Sequence, residues 1–81
     1  PQEHHAMTTL EIRATWDDEA QVWYAVSDDV PGLCVEAMTL DELIDIAAAL
    51  TPELLEANRM TPVDPVQLHI TAERTTLAKA A

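Results

Sequence analysis

The sequence predicts a small two-layer α+β domain, with a three-stranded antiparallel meander, one helical region and a fourth strand. Three observations carry that prediction. Apolar and polar residues alternate strictly in "TTLEIRATWD" and again in "VQLHITAER"; two short apolar runs bounded by turn residues lie between them; and "TLDELIDIAAAL" has helical periodicity behind a capping signal.

From Thr8 to Asp17, Leu10, Ile12, Ala14 and Trp16 fall on one face and Glu11, Arg13 and Thr15 on the other, the pattern of a half-buried strand. The polar segment Asp17–Gln21 is short enough to make a hairpin with "VWYAVS". In that second strand Val22, Tyr24 and Val26 alternate with Trp23, Ala25 and Ser27, so neither face is clearly polar. Next comes "DDVPGL", which holds the only glycine of the chain. Proline presets the negative φ of the second turn position and glycine supplies the positive φ of the third, so Val30-Pro31-Gly32-Leu33 fits a type II turn. "LCVEA" then reads as a short third strand, with Leu33, Val35 and Ala37 on one face and Cys34 and Glu36 on the other.

Thr39 and Glu42 stand at N-cap and N3 spacing, a capping box that opens a helix. Leu40, Leu43, Ile44, Ala47 and Leu50 share one helical face, which Leu54 and Leu55 extend. Thr51-Pro52 is read either as a fresh cap or as a kink in a helix that continues to about Asn58. "RMTPVDP" is a connector, and Val66, Leu68, Ile70 and Ala72 then alternate with Gln67, His69, Thr71 and Glu73 in the fourth strand. The face bearing Leu10, Ile12, Val66, Leu68 and Ile70 is expected to meet the helix. The opposite face, with Arg13, Trp23, Cys34 and His69, is expected to stay uncovered and to favour self-association, as an edge strand would. The domain is placed at residues 8–74, with residues 1–7 a tag or cloning remnant and 75–81 a short tail; setting the remnant aside also removes His4 and His5 from any metal site.

A chain of 81 residues buries only about 60–65% of the surface it exposes when unfolded, so a homo-oligomer is expected. Fifteen carboxylates against Arg13, Arg59, Arg74 and Lys79 give a formal charge of −11. Such a surface repels phosphate backbones, which argues against direct nucleic-acid binding, and it complements a basic partner protein. One cysteine, Cys34, excludes an internal disulfide and a cysteine-based zinc cluster. No apolar run approaches the roughly 18–20 residues of a membrane span, and no signal-peptide core opens the chain, so no membrane role and a cytoplasmic location are expected.

The runs Asp17-Asp18-Glu19 and Asp28-Asp29 fall in predicted turns, where aspartate caps local backbone groups; a divalent metal needs oxygens that converge from separate positions. His69 lies in mid-strand with no nucleophile that spacing places beside it. No enzyme, metal or cofactor is therefore expected. The alternative, a metal-binding enzyme domain, would use Asp17, Asp28 and His69.

Taken together, "TWDDEA", "VWYAVSDDVPGL" and the helix opening "TLDELI" resemble the N-terminal domain of the HicB-like antitoxins, and "TPELLEAN" is similar to a short subgroup of unknown function placed with them. The resemblance runs from about Thr8 to Asn58, and the element order extends it to Arg74. It implies a partial ribonuclease-H-like fold without nuclease activity that neutralises a small basic, mRNA-degrading toxin by covering its active surface. Many members add a C-terminal DNA-binding module; here only "TTLAKAA" follows Arg74, so a form without that module is expected. The residues expected to meet a partner are Asp17, Asp18, Asp28, Asp29 and Trp23, with Pro31 and Gly32 building the turn. A stand-alone oligomer with no toxin is the alternative.

Overall fold

The computed structural model describes residues 7–62 and 65–80. Except for Met7, the segment read as a remnant lies outside the described residues. The elements are β1 (Thr8–Asp17), β2 (Val22–Val26), β3 (Cys34–Ala37), α1 (Leu40–Ala57) and β4 (Val66–Glu73). They form a mixed four-stranded sheet in the order β3-β2-β1-β4, with β1 antiparallel to β2, β2 antiparallel to β3, and β4 parallel to β1. The two-layer α+β fold expected from the sequence is the fold observed.

The register of β1 and β2 is set at their loop. Asp17 Oδ1 accepts the backbone N–H groups of Glu19 and Ala20, both at 3.1 Å, and the Asp17 carbonyl accepts the N–H of Gln21 at 2.7 Å. Gln21 takes a left-handed φ of 59° to turn the chain back. Four loop residues then put Asp17 opposite Val22, Trp16 opposite Trp23 and Ala14 opposite Ala25. Residues directly opposite one another share a face, so Trp23 lies on the helix side with Trp16. This corrects the sequence reading, which placed Trp23 on the uncovered face; strand two alternates between two apolar sets and only the loop length decides between them. The open face carries Val22, Tyr24 and Val26 instead.

The second turn forms as expected. Leu33 donates its N–H to the Val30 carbonyl at 3.1 Å and Gly32 has φ +87°, as a type II turn requires. Val30 and Leu33, on either side, are fully buried, and Leu33, Val35 and Ala37 follow one another into the core.

Thr39 caps α1, with extended backbone (φ −126°, ψ 154°) and its Oγ1 accepting the Glu42 N–H at 3.1 Å. Leu43, Ala47, Thr51 and Leu55 recur every four residues as the buried stripe. The helix runs unbroken through Pro52. The proline ring removes the donor that the Ala48 carbonyl would use, but Ala48 is exposed. Thr51 is not a cap: its hydroxyl is buried and donates to the Ala47 carbonyl at 2.7 Å. At the C-terminus, Met60 N–H bonds to the Leu55 carbonyl at 2.8 Å and Arg59 N–H to Glu56 at 3.0 Å, with Arg59 at φ 58°. That is a Schellman motif with arginine where glycine is usual. Asn58 Nδ2 donates to the Leu54 carbonyl at 2.8 Å and to Pro31 at 3.3 Å, tying the end of the helix to the type II turn.

The core is aliphatic and rich in small residues. Ala14, Ala25, Ala37 and Ala47 bring backbones close, and Ile12, Leu43 and Val30 fill the space between them. The helix lies over β3 and β2, while β4 packs mainly on β1. As expected, Leu10 and Ile12 are buried, but the apolar face of β4 departs from expectation. Leu68 and Ile70 are only half-buried and Val66 is 38% exposed, because β4 joins the sheet edge farthest from the helix.

Three substitutions at two positions test the turn and the helix end. Gly32→Val should destabilise the fold by about 1–3 kcal/mol, since a β-branched residue must be held at positive φ. The Cβ itself meets only Leu54 Cδ2 at 3.5 Å, so Gly32→Asn should cost much less by urea unfolding. Arg59→Gly should stabilise by about 1 kcal/mol through relief at the left-handed cap, seen as a higher urea midpoint at unchanged slope.

Candidate partner-binding surface

The four aspartates singled out in the sequence sit at the two ends of β2. Asp17 ends β1 and Asp18 opens the hairpin loop, while Asp28 and Asp29 lie in the loop after Val26, about 17 Å away at strand rise. They do not converge on one site.

Within each pair, one aspartate builds the loop and the other presents its charge. Asp17 organises the hairpin as described. Asp18 is exposed, and its Oδ1 accepts the indole N–H of Trp16 at 3.2 Å. In the second loop, Asp29 Oδ2 accepts the backbone N–H of Glu11 at 2.8 Å, and Ser27 Oγ donates to the Glu11 carbonyl at 2.6 Å. Ser27 Oγ also accepts the N–H groups of Asp29 and Val30 at 3.0 and 3.2 Å. Backbone pairing between β1 and β2 ends at Arg13 and Val26, so these two side chains stand in for the missing strand partner of Glu11. Asp28 is left free to point outward. It meets Arg13 Nη1 at 3.3 Å, with both side chains well exposed, and a shallow recess of roughly 430 Å³ lies among Glu11, Arg13, Asp28, Asp29 and Thr71.

Trp23 contributes packing rather than an outward contact. Its ring meets Trp16 edge-on, with centroids 5.6 Å apart and planes at 65°, and the Arg74 guanidinium lies over Trp16 at 4.2 Å. Arg74 is a contact that sequence spacing did not signal, because it joins the ends of β1 and β4 through their parallel pairing. Ser27 and Asn58 were likewise not singled out; their roles depend on which backbone groups the sheet leaves unpaired.

The open face of the sheet is polar at both sides and apolar along β2. Tyr24, Val22 and Val26 are half-buried there, flanked by Glu36 and Cys34 on β3 and by Thr15, Arg13 and Glu11 on β1. His69 stands opposite Glu11, its Nδ1 2.6 Å from Glu11 Oε1, and Gln67 Nε2 donates to Thr9 Oγ1 at 2.8 Å. Cys34 and His69 occupy the two outer strands, three strand spacings or about 14 Å apart, so they form no catalytic pair. Among the described residues no group of three or more His, Cys, Asp or Glu side chains is placed to hold a metal ion, and no helix is long and apolar enough to cross a membrane.

On the helix side, a groove of roughly 430 Å³ opens between the second half of α1 and the start of β4. Thr51, Pro52, Leu55, Met60, Val66 and Leu68 line it, and Glu56 is the charged residue at its wall.

The sequence profile of a domain of unknown function, DUF1902, matches residues 9–80. A crystal structure of a hypothetical protein from the extremely thermophilic bacterium Thermus thermophilus is similar to this chain, with 50% sequence identity and a TM-score of 0.77 over 86% of this chain and 99% of that one. No curated protein matches.

The division of labour between the aspartates is testable by urea unfolding. Asp29→Ala should cost about 1–3 kcal/mol, because it removes a charge-assisted bond to a backbone N–H. Asp28→Ala, which removes only an exposed ion pair, should stay within about 0.5 kcal/mol of the parent.

Proposed function

The chain belongs to the DUF1902 family, and from that premise we propose that it is an antitoxin-like protein-binding module of the HicB type, which sequesters a small basic RNA-cleaving protein. What carries this reading is the placement of the motifs that resemble those antitoxins. "TWDD" enters the aspartate-anchored hairpin, "VPGL" is the type II turn, and "TLDELI" opens the capped helix, all in one small acidic domain of charge −11. The face that meets the partner is the open side of the sheet. It offers the exposed carboxylates Asp28 and Glu36 beside the half-buried Tyr24 and Val26, with Asp18 exposed in the hairpin loop at its end, a charged rim about an apolar centre. The role is binding without catalysis, in the cytoplasm where such a toxin acts, and without direct contact to DNA. The alternative metal site loses its geometry, since Asp17 and Asp28 lie at opposite ends of β2 and His69 is on an outer strand.

Co-expression with the small basic protein encoded beside this gene is the test. A complex that dissociates with rising salt, together with rescue of growth, supports the reading; no complex at low salt and no rescue ends it in favour of a stand-alone oligomer. Asp18→Lys with Asp28→Lys should slow association about tenfold and flatten its salt dependence while leaving the fold intact. Reversals at Asp17 or Asp29 do not serve, because they break the loops.

A further inference from the structure

We infer that the outer edge of β4 is the seat of a symmetric dimer, in which two copies pair their β4 strands antiparallel and each lays its C-terminal segment over the groove of the other. The inference stands on this chain alone and does not depend on a toxin.

β4 is the edge that the fold leaves unprotected. Edge strands are usually blunted by charge, proline or shortness. β3, at the other edge, is four residues long and carries Glu36. β4 is eight residues long, and from Val66 to Ala72 it has no formal charge and no proline, in a chain whose net charge is −11. Two copies so strongly alike in charge repel each other least where charge is absent. Its helix-side residues Val66, Leu68, Ile70 and Ala72 are half-buried or exposed, because α1 lies over β3 and β2 and covers β4 only in part.

The geometry is self-complementary. In an antiparallel pair about a two-fold axis normal to the sheet, both helices stay on one side, so residues of like parity face each other. With Ile70 opposite its own copy, Leu68 meets Ala72 and Gln67 meets Glu73, and no two like charges are opposed. The apolar sides of the two β4 strands then form one floor between two helices. The same pairing sends the chain after Arg74 past the partner's Val66, toward Met60 and Pro62 at the mouth of the groove. That segment carries Leu77, 93% exposed in the single chain, and Lys79, the only lysine, which suits the carboxylate of Glu56 at the groove wall.

Sedimentation equilibrium on the full chain, with amide exchange at about 1 µM and about 100 µM, tests the inference. Twice the chain mass is expected, with amides of 66–73 slowing as concentration rises and those of 34–37 unchanged. Ala72→Glu places an unpaired carboxylate opposite Leu68, and Leu77→Asp does so in the groove; each should raise the dimer dissociation constant at least about tenfold. Both sites are exposed in the single chain, and unchanged circular dichroism would show that the fold is kept. Should Ala72→Glu unfold, Leu77→Asp decides. A monomer at the higher concentration, protection at β3 instead of β4, or a Leu77→Asp protein that dimerises like the parent would overturn the inference.

Discussion

The structure depends on the register of the β1–β2 hairpin. Asp17 holds the loop by accepting two backbone N–H groups through its side chain and a third through its carbonyl, and four loop residues then fix every opposed pair along β1 and β2. A slip of one residue would exchange the faces of β2, turning Trp23 and Ala25 outward and Tyr24 and Val26 inward. The helix could not then sit where it does, because Ala25 is the small residue between Ala14 and Val35 over which the core closes.

β1 is central in a second sense. It is the strand that both neighbours use, β2 antiparallel and β4 parallel, and its pairing with β2 ends before its pairing with β4 does. The Glu11 backbone groups are left over, and Ser27 and Asp29 take them. An acidic pair that looks from composition like a reactive or binding cluster is thus split by the backbone: one member completes the sheet and its neighbour remains a surface charge. The same division holds at the hairpin, where Asp17 is structural and Asp18 exposed. A chain with fifteen carboxylates need not use them alike, and unpaired backbone donors decide which are consumed by folding.

The placement of the helix has consequences at the far edge. α1 covers β3 and β2, tied down by the Asn58 bond to the Pro31 carbonyl, and this leaves β4 attached through β1 with an apolar face half open. The polar side of the sheet and the groove beside β4 are therefore different kinds of surface. The first is acidic with an apolar centre, which fits a basic partner. The second is nearly uncharged, which fits a copy of an otherwise repelling molecule.

The sequence by itself determined the local structure. β1, the β2 core, the type II turn at Pro31-Gly32, the Thr39 cap and β4 were all legible, because alternation, proline and glycine stereochemistry and the capping pair act within a few residues. The continuation of α1 through Pro52 was legible only as one of two options, since the outcome turned on whether the Ala48 carbonyl faced solvent. What the tertiary structure alone decided was relative placement: which face of β2 is inner, that β4 lies parallel beside β1 and beyond the helix, and which aspartates are taken up by backbone groups. Each depends on pairing between segments far apart in the chain, where strand order and register set which groups remain unsatisfied, and no short-range pattern records that.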